Sequence, residues 1–176
     1  MTKTRLTAGL LALAAMAHAP AAMAQECISE KEVSSLAIYV TPLVIDSVRD
    51  KCAGTLSASG FLATKGNDFR ARYAALGDDT WPSAKSALFK FMGKKAGSGS
   101  NDIAQFKDLP DNVTRPLVDA IFTQKIGEDL KVKDCSKFER GMKLISPLEP
   151  RDTGALLAFI AAMAGVKNPA ICSEDS

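Results

Sequence analysis

The residues of this chain that could do chemistry are few. Its 176 residues include a single histidine, His18, which lies in a segment that we expect to be removed on maturation. Ser-His-Asp and Cys-His catalytic sites, HExxH zinc sites and His-Asp phospholipase sites all need histidine. A C-x-x-C-H haem-attachment motif is also missing from the sequence. The chemistry left to the chain is that of carboxylates or of a Ser-Lys pair.

The best candidates for such chemistry are Asp78 and Asp79, which lie close to Trp81. An acid beside an aromatic platform is typical of a site that cleaves sugars, so one hypothesis is a histidine-free hydrolase of cell-envelope glycan. The competing interpretation places both acids in the turn before a helix capped at Thr80, where negative charge favours the helix dipole. Trp81 would then pack over the edge of the core. The sequence favours this second interpretation.

The N-terminal segment has the form of a signal peptide. Lys3 and Arg5 precede an almost wholly apolar run, and Ala22-Met23-Ala24 has the small-x-small form of a cleavage site. The run is about 12 residues long, shorter than the roughly 20 that a membrane-spanning helix needs. We therefore predict a signal peptide at residues 1–24, cleaved near Ala24. We expect residues 25–176 to form the mature protein, located in the periplasm or secreted, with no transmembrane segment.

Hydrophobic periodicity predicts a helical mature chain. Ser29 and Glu32 form a capping box ahead of apolar residues spaced for one helical face. Thr41 and Pro42 predict either a kink in this first helix or its end, with a second helix beginning there. Further helix starts are predicted at Asn67, Thr80, Thr114, Asp134 and Pro150.

The last helix differs from the others because residues 154–165 are apolar on every side. A helix of that kind which is too short to cross a bilayer is most simply a buried one. The prediction is an all-α fold of one domain, in which six to eight short helices form a compact bundle around the apolar C-terminal helix.

Four cysteines in a small exported domain predict two disulfides. We prefer the pairing Cys135–Cys172 with Cys27–Cys52, because an antiparallel hairpin of the last two helices would bring Cys172 to Cys135 and leave Cys27 to pair with Cys52. The second bridge requires a sharp reversal of the chain at Pro42, because a straight helix would hold its cysteines about 35 Å apart. If the first helix is only kinked, the alternative is Cys27–Cys172 with Cys52–Cys135. No C-x2–4-C spacing occurs, so we expect neither a metal site nor a cofactor.

Charge gives no argument for a polyanionic partner. The chain has 22 basic and 20 acidic residues, and cleavage after Ala24 removes two basic ones, Lys3 and Arg5, which leaves 20 of each sign. Nucleic-acid binding needs a surplus of basic charge on one face, so we expect no nucleic-acid partner.

The cysteine layout from Cys27 to Cys172, with the Thr80-Trp81-Pro82 helix start, resembles that of small exported helical proteins of alphaproteobacteria. The resemblance spans nearly the whole mature chain. It implies a bacterial periplasmic setting and no particular activity.

Two functional hypotheses follow from these patterns. The preferred one is a non-catalytic exported protein that binds a partner protein or a small apolar ligand in its bundle. The alternative is the carboxylate-dependent hydrolase with Asp78 or Asp79 as its acid.

Overall fold

The structure is a computed structural model that describes residues 27–95, 109–167 and 169–172. The predicted signal peptide, residues 1–24, lies outside these residues. Seven α-helices occur in the described part of the chain, with one 3-10 turn and two short strands, β1 (Ile28–Ser29) and β2 (Ile171–Cys172). The helices are α1 (Glu30–Cys52), α2 (Phe61–Thr64), α3 (Gly66–Ala74), α4 (Gly77–Lys95), α5 (Asp111–Asp129), α6 (Cys135–Ile145) and α7 (Pro150–Met163). The predicted all-α fold class with two disulfides is confirmed.

The longest of these helices, α1, begins where the capping box predicts it. Ser29 Oγ accepts a hydrogen bond from the Glu32 amide at 3.2 Å, and the Glu32 carboxylate accepts one from the Ser29 amide at 2.8 Å. The helix then continues through Pro42. The Thr41 hydroxyl donates to the Ala37 carbonyl at 2.7 Å instead of capping a new helix. The prediction that α1 could end at Pro42 is therefore wrong.

Two other predicted starts are displaced in the same way. Thr80 and Thr114 lie inside helices that begin three residues earlier, at Gly77 and Asp111. Their hydroxyls donate to the carbonyls of residues 76 and 110, four positions back. Threonine can bond either forward to an amide as a cap or backward to a carbonyl, and both arrangements share one sequence pattern.

The remaining predicted starts are close to those observed. Asn67 is the second residue of α3, and its side chain accepts a hydrogen bond from Arg49 rather than capping the helix. Asp134 precedes α6, and its carboxylate pairs with Lys137. Pro150 is the first residue of α7, as predicted.

The centre of the bundle is α1, which packs against α3, α4, α5, α6 and α7. Two clusters of buried side chains lie against its two halves. The first joins the C-terminal half of α1 to α2, α3 and α6 through Ile45, Val48, Leu62, Phe69, Tyr73 and Met142. The second joins the N-terminal half to α4 and α5 through Tyr39, Trp81, Ala84, Leu88 and Val118.

The position of α7 corrects the sequence prediction. Only Pro150, Thr153, Gly154 and Ala158 of this helix are buried, so it covers α1 from outside instead of being surrounded by the other helices. The central helix is amphipathic α1, because its 23 residues are long enough to contact both clusters. A segment that is apolar on every side predicts that α7 is buried. It does not predict which side of α7 faces the core.

The disulfides are Cys27–Cys172 and Cys52–Cys135, the alternative pairing. The preferred pairing, Cys135–Cys172 with Cys27–Cys52, is wrong for two reasons. Continuous α1 separates Cys27 from Cys52, and α6 and α7 do not form the expected hairpin because α7 packs along α1 instead. The outer bridge lies beside a parallel pairing of β1 with β2, in which Ile28 faces Ile171.

None of the described helices is both long and apolar enough to cross a membrane.

Candidate interaction site

Helix α7 has two apolar sides. On its inner side Gly154 lies so close to α1 that an added Cβ would be 2.6 Å from Ser34 Oγ and 2.8 Å from Ile38 Cγ1. Ala158 continues this side one turn later and is also buried. The absence of bulk at residue 154 therefore sets how closely the two helices approach.

The opposite side of α7 carries large apolar residues that face solvent. Their side chains are 45%, 53%, 52% and 72% exposed at Leu156, Phe159, Ile160 and Met163. These positions are i, i+3, i+4 and i+7, the spacing with which one helix packs against another. We call this set the outer α7 stripe. Its pattern is that of a helix–helix contact, yet no described element covers it.

The stripe is also free of charge along its length. Residues 153–166 contain no ionisable side chain, and the nearest ones are Asp152 and Lys167, both exposed. The exposed fractions correspond to roughly 400 Å² of apolar surface, taking about 150–250 Å² for each large side chain. The largest apolar patch on a typical monomer covers about 300–600 Å² and often has a function. One helix alone thus supplies a patch of that size.

A second apolar feature lies between α4 and α5. It is an open pocket of about 250 Å³, to which Thr114 contributes the one hydroxyl. That hydroxyl already donates to the carbonyls of residues 109 and 110. The other lining residues are Leu88, Phe89, Met92, Leu117, Val118, Ile121 and Phe122. The pocket suits a small apolar group.

The acids singled out by the sequence, Asp78 and Asp79, lie in the first turn of α4. The Asp78 side chain is 93% exposed and accepts a hydrogen bond from Arg115 at 2.6 Å. Asp79 pairs with Arg151 at 3.3 Å. Trp81 is only 2% exposed and packs against Tyr39, with ring centroids 4.9 Å apart. The structure thus brings the three residues to one helix start, with the indole in the core.

Sequence reasoning missed Arg115, which organises this region. Its guanidinium carbon lies 5.1 Å from the centroid of the Trp81 ring and 5.8 Å from that of Tyr39, within cation–π range. The Tyr39 hydroxyl donates to Asp119 at 2.6 Å. Burial and this hydrogen bond raise the pKa of the Tyr39 phenol. No spacing rule links Arg115 to Trp81, so the sequence carried no signal for the contact.

The structure also contains a Ser-Lys pair, Ser86 and Lys90, one helical turn apart on α4. Both donate to the Glu32 carboxylate, at 2.6 Å from Ser86 and 2.9 Å from Lys90. Lys90 donates in addition to the Cys27 carbonyl at 3.2 Å. A lysine that acts as a general base needs a free, neutral amine, whereas Lys90 is held in an ion pair. The arrangement fastens α4 to the start of α1.

Glu32 is the centre of that network. Burial by itself would raise the pKa of its carboxyl, but the hydrogen bonds from Ser86, Lys90 and the Ser29 backbone outweigh burial and hold the pKa below its ordinary value. Among the described residues, no three histidine, cysteine or acidic side chains converge as metal ligands would.

No protein-family model, curated protein or solved structure matches the chain.

Proposed function

We propose that this chain is a non-catalytic exported interaction protein that binds an apolar helical face of another protein chain through the outer α7 stripe. The observation that carries the proposal is the stripe itself. Leu156, Phe159, Ile160 and Met163 have the spacing of a helix-packing surface and face solvent. A patch of this size on a soluble chain is typical of a binding surface.

Export is supported by the predicted signal peptide and by the two disulfides. Structural disulfides persist in oxidising compartments and are rare in the cytosol of most organisms. Both bridges link residues far apart in sequence, with separations of 145 and 83, so they hold the bundle together as a whole. A bacterial periplasm satisfies these conditions.

Site-specific photo-crosslinking tests the proposed binding surface. The photoreactive residue p-benzoylphenylalanine replaces Phe159 in one variant and Phe138, on α6, in a matched control. The two side chains are 53% and 40% exposed, so they differ in location more than in accessibility. After irradiation in the periplasm of an expressing bacterium, we expect protein adducts of discrete mass from position 159 only.

Equal adducts at both positions, or none at position 159, would contradict the proposal. Turnover of peptidoglycan by the purified protein would favour the hydrolase hypothesis instead. That activity would have to disappear in Asp79→Asn while the thermal midpoint stayed unchanged.

A second candidate function is binding of a small apolar ligand, and the pocket between α4 and α5 favours it. A native mass spectrum of the protein recovered from the periplasm checks this directly. A discrete extra mass that disappears in Val118→Phe, which fills the pocket, would support a ligand carrier; retention of that mass would place the ligand elsewhere.

A further inference from the structure

We propose that the outer α7 stripe binds the same stripe on a second copy of this chain, as an antiparallel helix pair related by a twofold axis. The inference rests on the proposed interaction function and names its partner. It is argued from the order of residues along the stripe, from the charges at its two ends and from its area.

The spacing of the four stripe residues is the same whether it is counted from the N-terminal or the C-terminal end of α7. Leu156 and Met163 are equally far along the chain from the point midway between Phe159 and Ile160. If a twofold axis passes through that point, Leu156 lies level with the partner's Met163, and Phe159 with the partner's Ile160. Each large side chain then meets a large apolar one. This is the self-complementarity that an isologous interface requires.

The flanking charges favour the antiparallel direction. Asp152 and Lys167 are also equally far from the midpoint of the stripe, one near each end of α7. An antiparallel pair brings the acid of each copy to the end where the partner carries its base. A parallel pair would bring like charges together and align the two helix dipoles, which is unfavourable.

The available area reaches the size of a specific interface. Leu157, on α7, and Val166, which follows the end of α7, are 45% and 43% exposed. With them, each copy contributes roughly 500–600 Å² of apolar surface, taking about 150–250 Å² for each large side chain. Two copies then bury about 1,000–1,200 Å² in all, near the lower bound of roughly 1,000–1,200 Å² for a specific contact.

A lipid surface fits the same helix less well. Helices that lie on anionic membranes carry lysines and arginines along their polar face. Within α7 the one basic side chain is Arg151, and it pairs with Asp79. A second copy presents a neutral, apolar counterpart without that requirement.

The test is the self-association of the mature chain, measured by sedimentation equilibrium from low to high micromolar concentration. Leu144, on α6, is the control: it is also a large aliphatic residue and is 68% exposed, against 52% for Ile160. We expect a wild-type dimer. Ile160→Lys buries two unpaired charges in the dimer and should weaken it about 100-fold or more. Leu144→Lys should change the dissociation constant by less than about 3-fold, as expected for a substitution outside the interface.

Charge reversal tests the antiparallel direction. Asp152→Lys alone opposes two bases across each end and should weaken the dimer about 5- to 20-fold, the range expected of exposed pairs. The double variant Asp152→Lys/Lys167→Asp restores opposite charges and should return the constant to within about 3-fold of wild type. If the double variant dimerises no more tightly than Asp152→Lys alone, the antiparallel arrangement is overturned.

Failure of this inference can be distinguished from failure of the proposed function. A wild-type monomer at every concentration, or a dimer that Leu144→Lys dissociates as strongly as Ile160→Lys does, overturns the second copy as partner. If position 159 still crosslinks to a different protein, the proposed function stands and only this inference fails. If position 159 crosslinks to no protein and the monomer binds phosphatidylethanolamine–phosphatidylglycerol vesicles through Ile160, both fail.

Discussion

Gly154 permits the close approach of α7 to α1, because a Cβ there would overlap Ser34 and Ile38 of α1. We expect Gly154→Ala to destabilise the protein. Overpacking costs about 1–3 kcal/mol, against a gain of about 1 kcal/mol in helix propensity. Gly141, inside α6, is the matched control, since a Cβ there meets open space in the described structure. Gly141→Ala should stabilise by about 0.5–1 kcal/mol.

Urea denaturation of the two glycine variants measures both effects on one scale. If Gly154→Ala were as stabilising as Gly141→Ala, the close packing of α7 on α1 would not exist in solution. The outer α7 stripe would then lose its fixed orientation as well.

The free energy of unfolding depends on pH through Glu32. Its pKa is lowered in the folded state, although burial opposes this, by hydrogen bonds from Ser86, Lys90 and the Ser29 backbone. A lowered folded-state pKa contributes stability above the unfolded-state value, about 4.3, and this contribution is lost as the pH falls through the folded-state value. Glu32→Gln keeps a capping-box residue and removes the charge.

We therefore expect Glu32→Gln to lower the free energy of unfolding at neutral pH by about 1–2 kcal/mol. The difference from wild type should shrink as the pH falls below about 4. Glu30→Gln, in the same first turn, loses only a favourable interaction with the helix dipole and should cost about 0.3–1 kcal/mol at neutral pH. Thermal unfolding followed by circular dichroism at several pH values checks this. A pH-independent difference for Glu32→Gln would contradict the role of the charge.

At the level of elements, one arginine of α3 is hydrogen-bonded to the connection from α6 to α7. Arg72 on α3 donates to the carbonyls of Ser146 and Leu148 and lies over the Phe69 ring, 5.6 Å from its centroid. Its neighbour Arg70 forms a surface ion pair with Asp46, in which both side chains are 40% exposed. The two arginines are two positions apart and have different roles.

We expect Arg72→Ala to lower the free energy of unfolding by about 1–2 kcal/mol, because charged donors to two carbonyls are lost. Arg70→Ala should cost about 0.2–1 kcal/mol, the usual range for an exposed pair. Amide hydrogen exchange should show faster exchange in the first turn of α7 for Arg72→Ala only. Equal exchange in the two variants would show that the connection is held by something else.

The elements also show where sequence reasoning succeeds and where it fails. The capping box at Ser29 and the first-turn Pro150 are local signals, and the sequence predicts both correctly. The sequence predicts helix starts at Thr80 and Thr114, three residues after the true starts, because a threonine that bonds backward looks the same in sequence as one that caps. Apolar content cannot say which side of α7 is buried, since that depends on Gly154 meeting α1.

In the candidate site, too, the sequence predicts the local features and misses the tertiary contacts. The apolar residues of α7 were visible in the sequence, but their exposure was not, because the central position belongs to α1. The contact of Arg115 with Trp81 joins residues from different helices and has no local signature. Pairwise tertiary contacts of this kind require the fold to be known.

For the whole molecule, the order of the disulfides is decided by whether α1 is continuous. Disulfide mapping of the unreduced protein should link the peptide containing Cys27 to that containing Cys172, and Cys52 to Cys135. A Cys27–Cys52 peptide would require a sharp reversal of α1 near Pro42. Such a reversal would break α1, the helix against which the rest of the bundle packs.

The two bridges are nested, because the loop closed by Cys52–Cys135 lies within that closed by Cys27–Cys172. The chain-entropy relation gives about 4–5 kcal/mol for either bridge when the other is intact. Cys52 and Cys135 are also fully buried, so replacing both with alanine adds a cavity cost in the core. Cys52→Ala/Cys135→Ala should therefore destabilise more than Cys27→Ala/Cys172→Ala in urea denaturation. The reverse order would mean that the N-terminal strand and its partner β2, rather than the core around α1, hold the bundle together.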